Sequence, residues 1–122
     1  MSSTTRRKVL ITLQGNAVAP RFDMATEVLI AAIGPDGSVQ EEKTMVLPQA
    51  SAEKLCHMII TEDIQTVICG GIEEEYYQYL CWKRVEVMDS VIADYGTALE
   101  KYGRGELKPG SIFWGKRRKK PG

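Results

Sequence analysis

Few residues in this chain have chemistry to offer, and they are scattered. Cys56, Cys69 and Cys81 stand 13 and 12 residues apart with no Cys-x-x-Cys pair, a spacing that suits neither a zinc ribbon nor a disulfide framework. All three are read as reduced thiols. Cys69 has the most suggestive setting, because Thr66-Val67-Ile68-Cys69-Gly70-Gly71-Ile72 runs an apolar strand into two glycines and Glu73-Glu74-Glu75 then opens a helix. A thiolate at such a strand end could ligate iron; the open alternative is a small buried hydrophobe. Gly70 and Gly71 would let backbone come close to a ligand beside unpaired helix N–H groups. The three glutamates already satisfy the helix dipole and would repel phosphate, which argues against a nucleotide loop.

Arg21 is the second candidate, in the loop from Gly15 to Ala25 that also holds Asn16, Pro20, Phe22 and Asp23. Its planar fork of donors suits a carboxylate or the anionic edge of a cluster, but it cannot ligate a metal as imidazole does. The alternative is an ion pair with Asp23 or Glu27 that fixes the loop. His57 is the single histidine, placed beside the apolar stripe of a helix, so neither a Ser-His-Asp nor a Cys-His arrangement can be argued. Asp23, Asp89 and Asp94 fall on separate loops or caps, with no clustered carboxylates for a two-metal centre. The chain is therefore read as non-enzymatic.

The elements that position these residues follow from periodicity. Lys8–Gln14 is a strand too continuously apolar to be half exposed, and Glu27–Ile33 is a second of the same kind. Gly34-Pro35-Asp36-Gly37 turns the chain into a third, polar strand at Ser38–Leu47, an edge. Ser51 caps a helix to about Thr61 with Ala52, Leu55, Cys56, Ile59 and Ile60 on one face. After the strand at Thr66 comes a helix of about Glu73–Trp82 with Ile72, Tyr76, Tyr79 and Leu80 inward. A fifth strand spans Arg84–Met88, and a third helix follows Asp94 with Tyr95, Ala98, Leu99 and Tyr102 on one side and stops at Gly103. Short links make the first three strands an antiparallel meander, and right-handed helical crossovers set the last two parallel to the first. The expectation is a three-layer α/β fold: a five-stranded mixed sheet of order 3-2-1-4-5 with helices on both faces, the ribonuclease H-like layout.

At 122 residues, with 43% hydrophobic and 26% charged residues, the chain fits one globular domain. The expected domain is residues 1–122, with a folded body of about 8–115 and a flexible basic tail at 116–122. Lys116–Lys120 supplies five of the 16 basic residues, leaving residues 1–115 at a net charge of minus 5. So acidic a body is a poor nucleic-acid binder, and any such contact would come from the tail, with Phe113 and Trp114 beside it. The longest apolar run, Val28–Ile33, has six residues, too few to span a bilayer, and a cytoplasmic location is expected.

Three pieces, in this order, carry a resemblance: Gly15-Asn16 followed by Val18-Ala19-Pro20-Arg21-Phe22-Asp23-x-Ala25; Thr66 to Ile72; and Ala98-Leu99-Glu100-Lys101-Tyr102 with Gly105-Glu106-Leu107. Together they resemble the nitrogenase iron-molybdenum cofactor biosynthesis family, small non-enzymatic proteins that carry or protect metal-sulfur clusters on a ribonuclease H-like fold. The resemblance implies an iron-sulfur or iron-molybdenum type cluster as ligand. It implies a cluster-donating or cluster-receiving protein as partner. Carried onto this chain, it points to Gly15, Asn16, Pro20, Arg21, Phe22, Asp23, Gly70 and Gly71 as binding positions and Cys69 as the metal ligand. Carriers in the family have His-Phe-Gly in the first loop; here Arg21 stands at the histidine position and Asp23 replaces the glycine. That pattern resembles the family's stand-alone branch, and it keeps open an interaction or regulatory module that has lost the cluster.

Overall fold

The apolar run Val9–Leu13 sets the layout. In the computed structural model, which describes residues 6–113, this run lies in β1 (Arg7–Gln14), at the centre of a mixed sheet. Leu10 points into one core and Val9, Ile11 and Leu13 into another on the opposite face. A strand covered on both sides presents no face to water, hence its unbroken apolar sequence.

The remaining strands add to either side of β1. β2 (Ala17–Val18) folds back on it, β3 (Glu27–Ile33) pairs antiparallel along its length, and β4 (Val39–Val46) follows as the polar edge. On the other side β5 (Thr66–Ile68) runs parallel to β1, and β6 (Glu86–Met88) parallel to β5. The path is β4-β3-β1-β5-β6, with β2 as a sixth strand on β1. Counted without β2, this is the expected order; the expected number, five, is corrected to six. Gly15-Asn16 is not an open loop start but a two-residue hairpin turn, with Gly15 at φ 63, a value that glycine adopts without Cβ strain.

Helices α1 (Ala52–Thr61) and α2 (Glu74–Trp82) cover one face of the sheet, and α3 (Tyr95–Gly103) covers the other. The caps are those the sequence signals: the Ser51 hydroxyl accepts from Lys54 N–H at 3.1 Å and the Asp94 carboxylate from Thr97 N–H at 3.4 Å. Two readings need correction. α2 buries only Leu80 fully, and Tyr79 is 38% exposed. The strand expected from Arg84 begins at Glu86, because Lys83 to Val85 close the end of α2 by donating to carbonyls of Tyr79, Cys81 and Leu80. At the end of the described chain Phe113 packs on the α3-side core beneath the Lys101 ammonium. Trp114 and the basic tail at 116–122 lie outside the described residues. No described helix is long and apolar enough to cross a membrane.

Candidate functional site

β1 and β5 are parallel neighbours, so their carboxyl ends emerge side by side. The chain leaving β5 is Cys69-Gly70-Gly71; the chain leaving β1 turns at Gly15-Asn16, passes through β2, and reaches Pro20. There the two segments join. Gly71 N–H donates to Pro20 O at 2.7 Å, and Phe22 N–H donates to Gly71 O at 2.8 Å. Arg21 and Gly71 thereby form a one-residue parallel bridge, so the first loop extends the sheet past the end of β5.

Gly70 shows what this junction demands of the sequence. A Cβ there would run into the backbone carbonyl oxygens of Ala19 and Pro20, so only a hydrogen fits between turn and loop. The close approach expected of this glycine is made by the protein's own first loop. At Gly71 a Cβ would have ordinary contact with Pro20 O, at 3.5 Å.

Phe22 begins a single 3₁₀ turn, Phe22–Met24. Its ring is 1% exposed and sits in the α1–α2 core with Leu55 and Cys69, with its centroid 6.4 Å from that of Tyr76. Arg21 faces outward. Its Nε and a terminal nitrogen donate to the two carboxylate oxygens of Asp23 at 3.1 and 2.8 Å, a two-pronged pair that holds the loop's shape. Of the two partners expected, Asp23 and not Glu27 is the one used. On the Arg21 side of this pair Gly15, Pro20, Arg21, Met24 and Glu27 help to line a hollow of about 490 Å³. Met24, at 62% exposure, is a rim residue that sequence reasoning passed over; its place in the loop was the only signal for it.

Cys69 turns away from that hollow. It is 0% exposed, and burial, helped by the negative charge of Asp89, pushes its thiol up to about 12. Beside it in the sheet, one residue past the Ile11–Ile68 pair, is Thr12, whose buried hydroxyl has no hydrogen-bond partner among the described residues. Cys56 is also buried, and its thiol is raised to about 11 by desolvation and Glu53. Cys81 is exposed on α2, and His57 lies on the exposed side of α1. An iron-sulfur cluster needs several ligating side chains brought together, and among the described residues no three His, Cys, Asp or Glu side chains gather as a metal site. The residues at this surface do not fit a resident cluster held by the protein's own side chains.

No family model matches the chain, and no curated protein matches its sequence. Its fold has counterparts among solved structures. The crystal structure of PH0822 superposes with a TM-score of 0.76 at 17% identity, covering 84% of this chain and 93% of that one. A candidate dinitrogenase from Methanocaldococcus jannaschii gives 0.71 at 23% identity, covering 86% and 95%. A candidate NifB protein from Thermotoga, assigned to the DUF35 family, gives 0.66 at 16% identity, covering 88% and 96%. At these identities the likeness establishes a shared fold.

Proposed function

We propose that the chain is a non-enzymatic interaction or regulatory module of the nitrogenase-related, ribonuclease H-like type, acting in the cytoplasm through its first loop without holding a cluster. One observation carries this reading: the two groups best suited to touch a cluster are both committed to the protein. Arg21 is forked onto Asp23, and Cys69 is fully buried inside the core. Exposed Met24 beside a charged pair is a surface another protein can contact. The shared fold of the candidate dinitrogenase and NifB proteins and the order of the three sequence pieces support the nitrogenase connection. A cluster-donating or cluster-receiving protein is then the partner class.

The second reading is a carrier of an iron-sulfur or iron-molybdenum type cluster at Gly15, Asn16, Pro20–Asp23 and Cys69–Gly71. It is favoured by the meeting of these segments at one end of the sheet. Anaerobic reconstitution with iron and sulfide separates the two. The expected result is no stoichiometric iron and no charge-transfer absorbance. Stoichiometric iron that disappears in Cys69→Ser would overturn the proposal in favour of the carrier.

A further inference from the structure

At the opposite end of the sheet, where β1, β5 and β6 begin, the surface opens into a basin of about 1000 Å³. Ile59, Ile64 and Val85 form part of its apolar floor. Much of the charge on its rim is already matched: Arg6 pairs with Glu41 at 3.4 Å, and Lys8 and Lys43 both reach Glu62, at 3.8 and 3.9 Å. Asp63 and Arg84 also line the basin and are exposed, yet among the described residues neither takes part in an ion pair.

Two equivalent turns hold them. At the end of α1, Glu62 N–H donates to Met58 O and Ile64 N–H to Ile59 O; at the end of α2, Lys83 N–H donates to Tyr79 O and Val85 N–H to Leu80 O. The residue between is left-handed in both, with φ 57 at Asp63 and φ 67 at Arg84. Glycine usually fills this position, since a Cβ there crowds the backbone. Aspartate tolerates it; arginine has no such excuse, and a charged side chain kept against the backbone preference points to a use for the charge. The Thr66–Glu86 register puts the two turns just before adjacent strands, with Asp63 and Arg84 offset by one residue.

We propose that this basin binds a zwitterion: a free α-amino acid or a short peptide with both termini unblocked. Its carboxylate meets the Arg84 guanidinium, its ammonium meets Asp63, and its side chain lies on the isoleucine and valine floor. A simple anion would face Asp63 and Glu42, and a simple cation would face Lys83 and Arg84; a ligand with both charges complements the rim. The carbonyl ends of α1 and α2 carry partial negative charge, which favours the ammonium at Asp63 and opposes the carboxylate; Arg84 offsets that opposition, since a guanidinium is the side chain best shaped for a carboxylate.

The test is an NMR titration of the whole chain with free amino acids and with di- and tripeptides, each to about 10 mM, the range of weak recognition. The expected result is saturable shifts at the amides of 63–65 and 84–85 with at least one ligand. The same ligand amidated at its carboxylate, or acetylated at its amine, should bind at least about tenfold more weakly. Saturation by free amino acids, or by peptides alone, identifies the source. Arg84→Gly relieves the left-handed backbone, so it should match or exceed the wild-type melting temperature while weakening binding at least about tenfold; Asp63→Gly should do the same. The proposal is overturned if no ligand gives saturable shifts, if the blocked ligands bind as well as the free one, or if Arg84→Gly binds like the wild type.

Discussion

Gly70→Ala puts the junction of loop and turn to a direct test. The added methyl meets the carbonyl oxygens of Ala19 and Pro20, which are backbone atoms and cannot swing aside. If the loop stays, the crowding costs on the order of 1–3 kcal/mol, as overpacking does elsewhere. If the loop detaches, the two hydrogen bonds between Pro20, Gly71 and Phe22 are lost, at about 1 kcal/mol each. The buried ring of Phe22 is then exposed as well, for about 2–3 kcal/mol more. In urea unfolding the first route predicts a loss of about 1–3 kcal/mol and the second about 4–5 kcal/mol. Detachment also uncovers Cys69, so a thiol reagent under native conditions would titrate Cys81 and Cys69 in place of Cys81 alone. A stability within about 0.5 kcal/mol of wild type would refute the argument that Gly70 exists to admit the first loop.

Thr12→Val removes a hydroxyl that is buried without a partner among the described residues and keeps its shape, so the urea midpoint should rise by about 1 kcal/mol in equivalent stability; a fall would show that the hydroxyl has a bonded partner. Arg21→Ala deletes a pair whose arginine side chain is 62% exposed, and should change stability by less than about 1 kcal/mol; a larger loss would make Arg21 a structural clamp. The Cys69 thiol stays protonated to about 12 in the fold against an ordinary 9.0. Above 9 the unfolded chain thus releases a proton that the folded chain keeps, and stability falls with rising pH. Its contribution is complete below 9 and is lost toward about 12, so Cys69→Ala should flatten the decline of the urea midpoint across about pH 9–11. An unchanged slope would show that Cys69 reaches solvent.

The parts of the fold legible in the sequence are those governed by local pattern. Continuous apolar runs marked β1 and β3 as doubly covered strands, Asp36 and the flanking glycines marked the hairpin, and Ser51 and Asp94 marked two helix starts. β2 was missed because a two-residue strand has no period to detect; only its partners Leu13 and Gln14 define it. The start of β6 was read too early for a related reason. Val85, Val87 and their neighbours look like one β run, whereas Lys83 and Arg84 belong to the closing turn of α2. A left-handed arginine is not something composition signals, and the misplacement hid the two equivalent turns that frame the basin.

The candidate site was legible as an address and not as an environment. Strand order alone brings the first loop to the Cys69-Gly70-Gly71 turn, since β1 and β5 are neighbours. Alternation along β5 also sends Cys69 to the same side as Val67. Neither fact says whether that side is open. It is closed because Phe22, from a loop far away in sequence, inserts over the strand ends while its neighbour Arg21 turns outward to Asp23. Reversing those two directions would place an aromatic ring in water and a thiol beneath a guanidinium, with the same strands in the same order. Access to Cys69 at this end of the sheet therefore depends on a few side-chain directions within the 3₁₀ turn, and substitutions at Gly70 and Phe22 should alter it more than any change at Cys69 itself.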